Sequence, residues 1–356
     1  MPHLLHRLIF ILIVVSSLAM AADVADLPQV IPADNPLLHY SGRWDRSDPA
    51  GPRCEWTACQ IRFNLSGTGA NVVLKGAKDI AFQVVIDSHP TSVITLVPGQ
   101  TVYAIAADLP AGKHAVELCK RTESWSGPVQ VRGFQFPADA KLLDPPEFHR
   151  RIEFLGDSIT CGLGNEGKSK DDVPTMGSEN AWLAWGAIAA RSLDAELSCE
   201  AISGIWLQNN GKRDPLPALW TKTMPFTAAK PWSFDAWKAD AVVIDLGTND
   251  AGKPIDEKSW HDAYTAFITA IRTAYPQAHI FLTIGPMGYG KNNEIPGYNT
   301  AIAAAYAAAG DTRVHALVLD LQKQENGIGA AWHPTVKTHQ LMAAQIVTAV
   351  RAALGW

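Results

Sequence analysis

A chain of 356 residues is longer than one typical domain and comfortable for two. Apolar residues make up 47% of it and charged residues 18%, a balance that excludes a disordered chain. The formal charge of −5, with no basic block anywhere, argues against nucleic acid as a partner.

In chain order, His3, His6 and Arg7 precede the apolar run Leu8-Ile9-Phe10-Ile11-Leu12-Ile13-Val14-Val15, and Ala19-Met20-Ala21 has the small-x-small spacing of a cleavage site. Residues 1–21 are therefore expected to be a signal peptide, leaving a secreted or periplasmic protein. The run is too short to cross a bilayer, which takes about 20 apolar residues, so the mature protein is expected to have no membrane span. Five cysteines follow, at 54, 59, 119, 161 and 199, with no zinc-like spacing. Cys161 and Cys199 fall near the carboxyl ends of adjacent predicted strands and form a candidate pair, with buried free thiols as the alternative.

Residues 22–137 read as an all-β domain. Gln60-Ile61-Arg62-Phe63-Asn64-Leu65 alternates polar and apolar, Gly67-Thr68-Gly69 turns, and Asn71-Val72-Val73-Leu74 resumes. Further short runs at 81–87, 92–97, 103–106, 114–119 and 129–134, separated by Gly, Pro, Asp and Ser, predict a sandwich or jelly roll. Residues 138–148 contain Pro145-Pro146 and are expected to be the linker. From 149 to 356 the texture changes to apolar strands (151–155, 195–202, 241–246, 279–284, 315–321) alternating with helical stretches (180–193, 259–275, 296–309, 336–354). That pattern predicts a mostly parallel sheet covered on both faces.

The chemistry is expected at one edge of this sheet. Arg151-Ile152-Glu153-Phe154-Leu155 ends at Gly156, and Ser158 follows two residues later, before a glycine-rich loop. Ligands in open α/β sheets bind at the carboxyl ends of the strands. A serine hydroxyl there needs a base and an oxyanion site. Ser203-Gly204 follows the second strand and Gly247-Thr248-Asn249-Asp250 the third; Trp332-His333-Pro334 precedes the last helix. Gly204 is read either as a turn glycine or as an oxyanion donor through its N–H, and Asn249 either as a helix cap or as a second donor. Asp157 and Asp250 are expected to brace loops. The base is His333 or His339; Pro334 at a helix start puts His333 at the crevice rim, which favours it.

Gly156-Asp157-Ser158, Gly204, Gly247-Thr248-Asn249-Asp250 and His333 resemble the four sequence blocks of the SGNH (GDSL) hydrolases. Gly156-Asp157-Ser158-Ile159-Thr160-Cys161-Gly162 with Gly164-Asn165, and His333-Pro334-Thr335-Val336 with Thr338-His339, are similar to carbohydrate esterase family 2. Leu109-Pro110-Ala111-Gly112-Lys113-His114 and Lys120-Arg121-Thr122-Glu123 resemble that family's N-terminal jelly roll. The resemblance implies a flavodoxin-like α/β SGNH-hydrolase fold after an all-β jelly-roll domain. It also implies a secreted deacetylase acting on acetylated polysaccharides such as xylan and glucomannan, without metal or organic cofactor. Ser158 would be the nucleophile and His333 the base, with Ser158, Gly204 and Asn249 as the oxyanion hole. Trp332 would contact the sugar, with Trp206 as a second candidate. SGNH enzymes commonly place an Asp three residues before the histidine; this chain has Ala330 there, so a backbone carbonyl is expected to orient the ring, with Asp245, Asp320 and Glu325 as substitutes. The competing readings are a GDSL lipase or thioesterase, and a catalytically weak or silent polysaccharide binder. Tyr40, Trp125 and residues 209–220 are further candidates for the sugar cleft.

Overall fold

The computed structural model describes residues 29–138, 140–288 and 294–356. The expected signal peptide lies outside the described residues.

The alternating runs fold into two antiparallel sheets. One has the order β1 (Gln29–Ile31), β10 (Val129–Phe136), β5 (Ala70–Gly76), β8 (Val102–Ala106), with β3 (Arg53–Cys54) also on β10. The other has the order β11 (Lys141–Leu143), β4 (Gln60–Ser66), β9 (Lys113–Lys120), β6 (Ala81–Ile86), β7 (His89–Thr95), with β2 (His39–Ser41) on β4. Alternation sends Ile61, Phe63 and Leu65 of β4 inward, and Phe63 meets Phe134 and Phe136 of the opposite sheet at ring separations of 5.3 and 5.9 Å. Part of the expected linker is thus a strand: β11 pairs with β4, Leu142 opposite Leu65.

The second half is a five-stranded parallel sheet in the order β13 (Glu196–Ala201), β12 (Arg151–Gly156), β14 (Ala241–Asp245), β15 (His279–Thr283), β16 (Val314–Ala316). This is the flavodoxin-like order, whose switch point falls between β12 and β14. The described helices are α1 (Ser158–Cys161), α2 (Trp185–Ser192), α3 (Leu216–Leu219), α4 (Glu257–Ala274), α5 (Ile295–Ala308) and α6 (Val336–Leu354). Leu155, Ile244 and Leu282 pack with α4 and α5, whereas Phe154, Val243 and Phe281 pack with α2 and α6, so both faces are covered. No helix among the described residues is long and apolar enough to cross a membrane.

Two predicted elements differ. The stretch 180–193 is broken: Asn180 caps a 3-10 turn at Ala181–Leu183, Ala184 is extended, and the helix starts at Trp185. The strand expected over 315–321 ends at Ala316: Leu317 N still donates to Leu282 O at 2.9 Å, but β15 itself stops at Thr283. All five cysteines are buried free thiols, so Cys161 and Cys199 are not joined.

The halves are locked by a buried cation. Arg43, after β2, is fully buried and bridges Glu153 of β12 at 2.8 Å and Glu200 of β13 at 3.1 Å. It also donates to the carbonyls of Trp220 and Lys222, and its guanidinium lies 5.2 Å from the Trp232 ring centroid. One cation faces two carboxyls. Burial pushes Glu200 well above the usual carboxylate range and the Glu153 charge pushes it further, against the pull of Arg43.

Candidate active site

Gly156 ends β12, and Asp157 caps α1 by accepting the Ile159 N–H at 2.9 Å, which presents Ser158 as the first helical residue. Ser158 Oγ lies 2.8 Å from His333 Nε2, although 175 positions separate them in sequence. On its other side His333 Nδ1 meets two backbone carbonyls, those of Ala330 and Ala331, each at 3.1 Å. A carbonyl only accepts, so Nδ1 carries the ring proton and Nε2 presents its lone pair to the serine hydroxyl. Burial holds the His333 imidazole below its ordinary pKa, against the opposing effect of the two carbonyls, and so favours the neutral ring.

The turn that aims these carbonyls is bent unusually. Ala331 (φ 47°, ψ 45°) and Trp332 (φ 66°) both occupy left-handed backbone conformations. For non-glycine residues this costs roughly 1–2 kcal/mol each. The glycine loop after α1 cradles the turn: Ala330 N donates to Gly164 O at 3.0 Å, and Val336 N donates to Asn165 O at 3.2 Å. Gly164 has φ +66°, and a Cβ there would fall 2.8 Å from the Ala330 carbonyl oxygen. None of the suggested carboxylate substitutes is used. Asp245 accepts from Thr160 and Thr283, Asp320 from Gln345, and Glu325 lies near Lys323. His339 is buried in α6, where its Nδ1 accepts the Trp185 N–H; burial, with the nearby His333, lowers its pKa to about 3.

The loops after β13 and β14 converge on the same edge. Gly204 has φ +71°, which suits glycine, and follows Ser203, whose N–H donates to Glu123 Oε2 at 2.6 Å. Asn249 Nδ2 donates to Ile205 O at 2.9 Å and to Asp157 Oδ2 at 3.2 Å. Asp250 accepts from the N–H groups of Leu207 and Gln208 at 3.1 and 3.0 Å, bracing the same loop. Burial and the Asp245 charge push the Asp157 carboxyl well up, and burial raises Asp245 to about 7. The arrangement provides a hydroxyl with an imidazole facing it, beside a loop edge braced by Asn249 and Asp250.

Both halves of the chain match known families. The family model described as "Carbohydrate esterase 2 N-terminal" matches residues 40–146, and that of the GDSL-like lipase/acylhydrolase family matches residues 154–341. A solved family two carbohydrate esterase from Clostridium thermocellum, in complex with cellohexaose, superposes with a TM-score of 0.85 at 36% identity, covering 90% of this chain and 99% of that one. The chain belongs to carbohydrate esterase family 2. Among curated relatives it is 37% identical over 328 residues to the cellulase/esterase CelE of Acetivibrio thermocellus, covering 91% of this chain; it spans 40% of that relative's length. It is 28% identical over 366 residues to an acetylxylan esterase / glucomannan deacetylase of Cellvibrio japonicus, covering 98% of this chain and 97% of that one.

Around this family 2 site the aromatic candidates separate. Trp332 is 51% exposed beside His333, with the Lys170 ammonium 4.6 Å from its ring centroid. Trp206 is half-buried. Tyr40 is not at the cleft: it is buried, donates to Ala33 O and packs edge-on against Trp44. Trp220 is likewise buried, donating to Glu153 in the Arg43 network.

In the sequence Glu123 stands out only as part of the Lys120-Arg121-Thr122-Glu123 motif. Its place in the structure is specific, since it carries a β-domain carboxylate to the Ser203 N–H. The ligand-type atoms of Glu123, Cys161 and Glu179 all lie within 4.8 Å of one another, a buried group of metal-ligand residue types. Burial raises both carboxyls, Glu179 the more, while the Lys120 ammonium lowers both by its charge. Lys120 Nζ is itself held by the carbonyls of Glu55, Thr122 and Glu123. A positive charge is therefore already built in beside this group.

Proposed function

We propose that the protein is a secreted carbohydrate O-acetyl esterase that removes acetyl groups from polysaccharides such as xylan or glucomannan. Its parts are a cleaved leader at 1–21, the β domain, a connection at 138–148 and the hydrolase domain from 149. The observation that carries the reading is the 2.8 Å contact between Ser158 Oγ and a His333 ring whose Nδ1 is held by carbonyls. Ser158 Oγ attacks the acetyl carbonyl carbon while His333 Nε2 takes the hydroxyl proton. The tetrahedral oxyanion is held by the N–H of Ser158, the N–H of Gly204 and the Asn249 amide, which gives up its longer bond to Asp157. Collapse of the intermediate breaks the bond to the sugar oxygen, which leaves with the proton from His333. Water, deprotonated by His333, then attacks the acetyl-serine, releasing acetate and restoring the hydroxyl. Trp332 offers the sugar ring an apolar face, with Trp206 as a second contact.

Support for the acetyl ester comes from the Cellvibrio japonicus acetylxylan esterase / glucomannan deacetylase relatives and from the two-domain match. The test is acetate release from acetylated xylan and acetylated glucomannan side by side, with positional analysis of the residual acetyls. Release from at least one polymer is expected, together with faster cleavage of aryl acetate than of aryl butyrate. Preference for butyrate or longer chains would point to a lipase or thioesterase. Polymer binding with no acetate released would point to a silent binder.

The pH profile has a definite sign. The base acts when neutral, and burial lowers the His333 pKa, so the neutral form persists to lower pH than for a free imidazole. The acidic limb of kcat/KM is expected to have its midpoint below about 6.5, the unperturbed histidine value. A midpoint above that value, measured on an aryl acetate, would contradict the assignment.

A further inference from the structure

We propose that the stacked pair Trp125–Phe226 is a second sugar platform, which takes a pyranose ring of the polymer neighbouring the acetylated unit; this rests on the esterase reading above. Trp125 and Phe226 are 50% and 44% exposed, two large rings side by side at the surface. They stack at 4.4 Å with planes 24° apart, so the ledge is already formed without ligand.

Its position ties it to the reaction. Trp125 Nε1 donates to the Ser203 carbonyl at 3.4 Å, and Arg213 donates to the Gly204 carbonyl. The Ser203 carbonyl belongs to the same peptide unit as the Gly204 N–H, the assigned oxyanion donor. The ledge therefore stands one peptide away from the reacting carbonyl. Trp332 stands on the turn that carries the base, so the two exposed indoles flank the site on different loops. The Arg213 guanidinium, 5.6 Å from the Trp125 ring centroid, is exposed and has N–H groups to offer hydroxyls. An apolar face with an adjacent cationic donor fits a neutral, polyhydroxylated ring. An acyl chain would require an enclosed tunnel, whereas this surface is open. Trp125 comes from the β domain, just after β9, so that domain would supply part of the substrate surface.

The test compares Phe226→Ala, Trp125→Ala and Trp125→Phe with wild type on an acetylated glucomannan hexasaccharide and on 4-nitrophenyl acetate. Loss of one aromatic contact is expected to raise KM for the hexasaccharide up to about 10-fold. In Phe226→Ala the aryl ester should suffer a much smaller change; both Trp125 variants also lose the bond to the Ser203 carbonyl, and of the two Trp125→Phe should keep the hexasaccharide KM nearer to wild type. Equal losses on both substrates in Phe226→Ala would overturn the proposal, since a ring that only props up Trp125 and Ser203 would affect both alike. An unchanged hexasaccharide KM would also overturn it. Calorimetric titration with the deacetylated hexasaccharide, on the Ser158→Ala background, separates the two readings. If wild type releases no acetate, the esterase reading falls, and the titration alone decides the platform. Weakened binding on adding Phe226→Ala upholds the platform; unchanged binding overturns it.

Discussion

Replacing Ser158 with alanine is expected to lower the rate of acetate release by about 10⁴-fold or more, and replacing His333 with alanine to do nearly the same. The two side chains act on one proton, so their losses do not add: the double variant is expected to be no slower than the slower single variant, within a few-fold. The expectation follows from the 2.8 Å contact and from the tautomer that the Ala330 and Ala331 carbonyls impose. Measured on an aryl acetate and on acetylated polymer, a Ser158→Ala protein with rates near wild type would remove the hydroxyl from the reaction. Multiplying losses in the double variant would mean that serine and histidine work separately. Both proteins should keep the wild-type melting temperature to within a few degrees, since each change trims an edge of the crevice rather than the core.

The second large effect is on stability. Arg43→Met is expected to destabilise the protein by about 3–5 kcal/mol, because it leaves the negative charge of the buried Glu153–Glu200 pair without its cation. A loss of that size lowers Tm by on the order of 10 °C. Glu200→Gln gives the contrasting result. Burial and the Glu153 charge favour a protonated Glu200, so an amide of the same shape removes little charge and should cost less than about 1 kcal/mol. Thermal melts of the two variants check the pair. A mild Arg43→Met or a severe Glu200→Gln would refute this account of the network.

Much of the hydrolase half was legible because its signals are local. An apolar run ending at Gly156, a serine two residues on, and a proline after His333 each announce their own strand or helix end, and parallel topology brings those ends to one edge. The orienter of His333 was legible only in kind. Its geometry depends on left-handed conformations at Ala331 and Trp332, residue types that carry no turn signal. Arg43 was invisible for a different reason: an arginine between short strands reads as a surface residue until β12 and β13 bring carboxyls to it. Strands β1, β2, β3 and β11 span two or three residues each, too few for alternation to show. Tyr40 was a cleft candidate only as an aromatic; the packing of β2 against β4 buries it instead.

The bent turn at Ala331 and Trp332 has one more consequence. The backbone that points carbonyl oxygens at the imidazole is the same backbone that holds the exposed indole beside it. If a pyranose rests on that indole as proposed, its pressure would bear directly on the seat of the proton acceptor. Engagement of the carbohydrate and readiness of the base would then be joined through three consecutive residues, so a remodelled indole is expected to retune proton transfer as well as grip.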